Sequence, residues 1–339
     1  VRAGGQIRQR LATALPSVAG VIVVTFLLTR VLPGDTAAYF AGPAATPEAI
    51  AQIRAKLGLD QSLLVQFLRY IRDLAHGDFG SSLTTGQPVL SDIASRLPAS
   101  AELVLVALLL AIVIAIPLGI VAALREGSWI DHACRIVTTA GVSLPVFFTG
   151  LLLVYVFYYI LGWSPSPLGR LDVFATAPPT ITGFYLIDTL LVGDMETFRA
   201  TCAQLILPAA TLAIFALAPI ARMTRGAMLS VLGADFVRTA RAAGLSPRTV
   251  ILGYAFRNAM LPVITTLGMV FSFLLGASVL VEKVFAWPGI GSYAVEALIA
   301  SDYAPVQGFV LVMAVLYLLL NLAIDLLVGV IDPRVRMDA

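Results

Sequence analysis

The stretch Asp235-Phe236-Val237-Arg238-Thr239-Ala240-Arg241-Ala242-Ala243-Gly244-Leu245-Ser246-Pro247 is a polar insert between two long apolar runs, and its reading sets that of the chain around it. Asp235 is placed to cap a helix, because its side chain can accept hydrogen bonds from the first free backbone N–H groups. Gly244 can take the left-handed conformation that ends one. Together they predict a helix of about two turns over residues 236–243. Ser246 then caps a second helix with Pro247 at its first position, where the missing N–H is no loss. On the short helix Phe236, Ala240 and Ala243 share a small apolar face, while Arg238, Arg241 and Arg248 lie toward the other. Such a face, followed by a glycine, allows close backbone approach and suits a lever seated in a partner's cleft. A plain basic loop that fixes membrane topology is the competing reading.

Composition sets the class of protein that holds this insert. The 339 residues are 59% hydrophobic and 12% charged, with a mean hydropathy of +0.93. Soluble chains carry about 25% charged residues, so this is an integral membrane protein. A net charge of +2, not gathered into one patch, gives no footprint for nucleic acid. Cys134 and Cys202 lack paired spacing and read as small buried hydrophobes rather than a disulfide or zinc pair.

Outward from the insert, apolar runs of about the ~20 residues that a helix needs to cross a bilayer lie at about 103–124, 136–161, 203–221, 259–281 and 306–331. A further run, 11–32, follows Arg2, Arg8 and Arg10. It is longer than a signal-peptide core and no small-residue cleavage site follows, so it reads as an uncleaved anchor, ended by Pro33-Gly34-Asp35. Residues 36–100 are too polar to cross a membrane and form a small helical subdomain. Thr46-Pro47 start a helix that Gly58 stops, and Asp60 starts a second that fades near Gly77, with an apolar stripe in need of cover. Gly77-Asp78-Phe79-Gly80-Ser81-Ser82 reads as turns; no lysine follows it as in a phosphate cradle. Residues 163–200 are proline-bearing and extramembrane, with a short segment at Ile181 to Leu191.

Within the spans, Ser143-Leu144-Pro145 and Pro262 are expected helix breaks, which in membranes lie at interfaces or along pathways. Asp325 is an acid deep in an apolar run, close to its end. A carboxylate there is costly unless paired, so Asn321, one turn away, and Arg222, Arg225, Arg257 or Asn258 are its expected partners.

Of the 22 basic residues, 13 fall in the two termini, 125–135 and 222–257, and 9 in the far longer remaining loops. Basic residues mark the cytoplasmic side, so six spans with both termini cytoplasmic is the expected topology, and 36–100 is extracytoplasmic.

Arg238-Thr239-Ala240-Arg241-Ala242-Ala243-Gly244-Leu245, with Leu261-Pro262 following, resembles the cytoplasmic loop of ABC-importer permeases of the dipeptide/oligopeptide branch. The general pattern there is Glu-Ala-Ala, three residues, Gly, then a distant Leu-Pro. Here Arg238 stands in the Glu position, and Gly244 precedes Pro262 by 18 residues. Pro33-Gly34-Asp35, the Gly77–Ser82 turns, Ser143-Leu144-Pro145, Glu282-Lys283-Val284-Phe285-Ala286-Trp287-Pro288-Gly289-Ile290-Gly291 and Asp332-Pro333-Arg334 are similar to the same branch, so the likeness covers nearly the full length. It implies a type I ABC-importer permease fold: residues 1–35 as tail and first helix, 36–100 as subdomain, 101–332 as permease core with a coupling helix at 235–246, and 333–339 as cytoplasmic tail. It also implies a plasma (inner) membrane protein of a prokaryote. Its partners are a second permease subunit, two cytoplasmic ABC ATPases, an extracytoplasmic peptide-binding protein and membrane lipid. The residues expected to meet an ATPase are Asp235, Phe236, Arg238, Thr239, Ala240, Arg241, Ala243, Gly244 and Leu245.

Lys56 and Lys283 are the only lysines and neither follows a P-loop glycine, so no Walker A cradle is present. ATP and magnesium would be bound by partner subunits. With His76 and His132 the only histidines, a His-based zinc site or hydrolase triad is unsupported, and no catalytic, cofactor or metal residues are expected. The alternative to a permease subunit is an ion-coupled carrier, which places ionisable residues near the bilayer midplane. The position of Asp325 near a helix end argues for an anchor instead.

Overall fold

The computed structural model describes residues 16, 18–27, 36–42, 45–56 and 58–331, without the side chains of 36, 39, 40, 325 and 327–331. Its helices in chain order are α1 (Val18–Leu27), α2 (Thr36–Ala41), α3 (Pro47–Lys56), α4 (Leu63–Ala75), α5 (Val89–Leu124), α6 (Trp129–Val142), α7 (Val146–Leu153, continued by a π-helix to Ile160), α8 (Tyr185–Val192), α9 (Met195–Leu232), α10 (Asp235–Ala242), α11 (Arg257–Val284, preceded by a π-helix from Thr249), α12 (Ile290–Ile299) and α13 (Tyr303–Ile331). Among the described residues the only β pairing is the isolated bridge Ser81–Pro88.

Among the described residues, four helices are long and apolar enough to cross a membrane: α5, α9, α11 with its π-helical lead, and α13. The run expected at 136–161 as a span with a break is a pair of helices, α6 and α7, bent by 100°. The bend falls at Ser143-Leu144-Pro145, where Pro145 caps α7 with extended ψ and cannot donate back into α6. By contrast α11 runs through Pro262 without a break, as α9 does through Pro208 and Pro219. Much of the expected first span, with Pro33-Gly34-Asp35 and Asp332-Pro333-Arg334, lies outside the described residues.

Residues 1–98 and 289–319 form one unit. The second helix expected within 36–100 starts at Leu63 behind Ser62 rather than at Asp60, because Gly58 at φ +65° first turns the chain back. Phe67 and Tyr70 of α4 pack on Phe26 of α1, with ring centroids 5.1 and 5.7 Å apart, leaving Leu64 and Leu68 exposed. Val89, Ile93, Ile290 and Tyr293 form the core. The chain after Gly77–Ser82 does hold an anion, but its own: the buried Asp302 Oδ2 accepts from Ser82 Oγ at 2.8 Å and from the Leu83 and Thr84 amides at 2.7 and 3.1 Å.

Residues 99–288 and 320–339 form the other unit, built along α9, against which α6, α7, α8 and α11 pack. Small residues bring backbones close: a Cβ on Gly119 would stand 2.6 Å from Thr224 Cβ and 2.8 Å from Ala221 O. Inside α5, Glu102 Oε2 accepts from the buried Arg170 at 2.6 Å, while its Oε1 accepts from the Leu186 amide at 2.8 Å. Asp188 of α8 ties the preceding loop, accepting from Thr182 and from the Gly183 amide. Burial raises its pKa, yet these hydrogen bonds outweigh that and hold the carboxyl below the ordinary 3.8. Cys202 is exposed rather than buried, since the neighbouring turn of α9 points Thr201 and Leu205 into the unit instead.

Candidate coupling site

The insert that organised the sequence folds as α10, two turns long. Asp235 is its first residue, not its cap. Ala234 takes the extended cap conformation, and no side chain caps the helix. The Asp235 carboxylate instead lies 3.4 Å from Arg238, one turn on, in the first turn where the helix dipole favours negative charge. At the other end Gly244 has φ +76°, its N–H donates to Arg241 O at 3.0 Å, and the Leu245 N–H donates to Ala240 O at 3.3 Å. This is the Schellman pattern, and it satisfies carbonyls that the helix end leaves open. The Thr249 amide then donates to Ser246 Oγ at 3.3 Å, starting the helix that leads into α11.

One face of α10 is fixed to the protein's own core. Val237 and Ala240 are buried in a cluster with Ala123 of α5, Met228 of α9 and Val250, Ala255 and Ala259 of the α11 limb. Phe236 faces out at 43% exposure, so the expected Phe236–Ala240–Ala243 face does not form. A helix of two turns fits either frame. Met228 and Val250, on the helices that flank α10, select the one that buries Val237. Beyond Ala240 every residue from Arg241 to Thr249 is exposed. Phe236, Arg238, Thr239, Arg241, Ala243, Gly244 and Leu245 therefore present one open surface, mixed apolar and basic, on a base held by Val237 and Ala240. A Cβ placed on Gly244 would meet nothing within 4 Å.

Next to this base, α6 is joined to α9. Asp131 is 1% exposed, and its two carboxylate oxygens accept from Arg225 Nε and Nη2, each at 2.7 Å. The Gly127 amide adds a third bond at 3.1 Å, and Ser128 caps α6 through the Asp131 amide. Neither Asp131 nor Val237 was singled out from the sequence. Asp131 follows Ser128 by three residues, which is a capping signal, but its partner lies 94 positions away.

The remaining expected site residues are not gathered here. Pro145 sits at the α6–α7 bend, and Pro262 lies inside α11, where its carbonyl accepts from Thr266 at 2.9 Å. Asn321 is half-buried on α13, and the Asp325 side chain lies outside the described residues. Of the groups expected around it, Arg225 pairs with Asp131, Arg222 donates to Ala218 O and Asn258 donates to Tyr254 O.

Family models describing the binding-protein-dependent transport system inner membrane component match residues 115–337, and those of its N-terminal part match residues 6–104. The chain is 46% identical over 329 residues to the probable D,D-dipeptide transport system permease protein DdpB of Escherichia coli K12, covering 97% of this chain and 96% of that one. It is 44% identical to the di/tripeptide transport system permease protein DppB of Pseudomonas aeruginosa, with 97% and 98% covered. Among solved structures, an inward-facing MetNI methionine ABC transporter chain matches 69% of this chain and 93% of its own, with a TM-score of 0.52 at 16% identity, a likeness of fold. This all-helical, multi-pass membrane chain belongs to the family of binding-protein-dependent transport system inner membrane components.

Proposed function

We propose that the chain is the permease subunit of an ATP-driven importer and forms half of the path for peptides delivered by an external binding protein. The peptide cargo is supported by the names of relatives aligned over nearly their whole length. The six-span topology with both termini cytoplasmic is supported by the bias of basic residues, which puts 36–100 outside and α10 inside. A second permease subunit pairs with the chain, and two ATPases bind ATP and magnesium, for which this chain has no Walker A cradle.

The observation that carries this reading is α10 itself: a short helix bolted by Val237 and Ala240 to the ends of three long helices, with an exposed run from Arg241 to Thr249. An ATPase seated on that run would move α5, α9 and α11 together, because close-packed interfaces switch rather than stretch. Co-expression of the chain with its partner subunits and reconstitution into vesicles tests it. Uptake of labelled dipeptides that needs both ATP and the binding protein is expected. Uptake driven by an ion gradient without ATPase subunits would replace this reading with that of a carrier.

A further inference from the structure

The fixed base of α10 includes α5, α9 and the α11 limb but not α6. α6 packs along α9, where a Cβ on Gly141 would stand 3.1 Å from Ile214 O, and next to the α10 base a charge pair fixes it. Arg225 grips Asp131 through two parallel bonds of 2.7 Å, and Asp131 is in turn held by the Gly127 amide. Two parallel bonds fix orientation as well as distance, which a single contact or an apolar patch does not. Arg225 lies one turn before Met228, the residue of α9 on which Val237 and Ala240 rest. A displacement of α10 therefore reaches Arg225 within one turn of helix. On the far side of the pair, α6 ends at the 100° bend into α7. Its exposed face, including His132, Arg135, Thr139 and Ser143, lines an open cavity of about 640 Å³.

From these relations we infer that Asp131 and Arg225 are positioning residues for transport. They make α6, and with it the wall of that cavity, follow the coupling helix as one body. The inference rests on the permease reading above and adds to it the route by which movement reaches a helix outside the α10 cluster.

The test uses the whole reconstituted complex with Asp131→Asn, Arg225→Gln, both together, and the pair Asp131→Glu/Arg225→Lys. Each is checked for assembly and assayed for peptide uptake and ATP turnover. A charge-assisted bidentate bond is strong enough that its loss should lower peptide transported per ATP about tenfold. The double Asn/Gln variant should be no worse than either single one, because both remove the same connection. The Glu/Lys pair restores opposite charges but not the two parallel bonds, so it should recover the ratio only in part. Spin labels at Ile136 on α6 and Met223 on α9, with Cys134 and Cys202 replaced by alanine, give a second reading. Their separation should be the same with and without ATP in the parent complex and should change with ATP in Asp131→Asn. Uptake and ATP turnover falling together in step with assembly, or a separation that already changes in the parent, would overturn the inference. A parent complex without ATP-dependent uptake would defeat the permease reading, and the label separation would still decide whether α6 follows α9.

Discussion

Glu102 and Arg170, 68 positions apart, form an ion pair at 2.6 Å with side chains only 2% and 7% exposed. The guanidinium also lies 3.4 Å over the Tyr185 ring and donates to Gly183 O, so one residue ties the interior of α5 to the loop before α8. Removing one partner of a buried pair strands the other charge. Glu102→Ala should therefore destabilise the folded chain by about 3–5 kcal/mol, and Glu102→Ala with Arg170→Met by clearly less. Thermal unfolding of the purified complex in detergent measures the difference.

Asp302 offers a second test. Three of the donors to its Oδ2 are Ser82 Oγ and the amides of Leu83 and Thr84, and the carboxylate is fully buried. Asp302→Ala should leave those amides open and lower stability by roughly 2–5 kcal/mol, whereas Ser82→Ala should cost about 1–2 kcal/mol. Limited proteolysis between Gly80 and Gln87 should accelerate in that order.

The Asp188 carboxyl responds to acid in a stated direction. Its folded pKa lies below the ordinary 3.8. Its contribution is therefore fully present above that value and is lost as pH falls through the lower folded one. The difference in melting temperature between the parent and Asp188→Asn should hold steady from pH 7 to 5 and shrink only below about 3.8. A difference that vanished near pH 6 would contradict this assignment.

Much of this fold was legible in the sequence because a membrane span needs only length and apolarity, which local composition states directly. The α5, α9, α11 and α13 helices were found for that reason, though each extends past the apolar core. The Gly244 turn was legible too, since only a left-handed end with glycine fits a polar insert of that length. What escaped were contacts between separate helices. Val237 rather than Phe236 turns inward because Met228 and Val250 wait there, and Asp131 needs Arg225, 94 positions on. The 100° bend was flagged as a break at Pro145, but a proline fixes where a helix yields and not by how much.

The claim that α10 transmits force from an ATPase is tested most directly at Gly244. Its φ of +76° costs an ordinary residue about 1–2 kcal/mol, while a Cβ there would meet nothing within 4 Å. Asparagine tolerates the left-handed conformation better than most residues. Gly244→Asn should therefore keep more stability than Gly244→Val while still adding bulk to the surface offered to the partner. Gly244→Asp should combine that bulk with negative charge beside Arg241. The deciding measurement is peptide uptake and ATP turnover by Gly244→Asp in reconstituted vesicles, with assembly checked separately. The chain should reach the membrane and lose uptake, with ATP either left unhydrolysed or hydrolysed without transport. Undiminished uptake at normal ATP turnover would mean that residues 235–246 are only a loop, and would contradict the account at its centre.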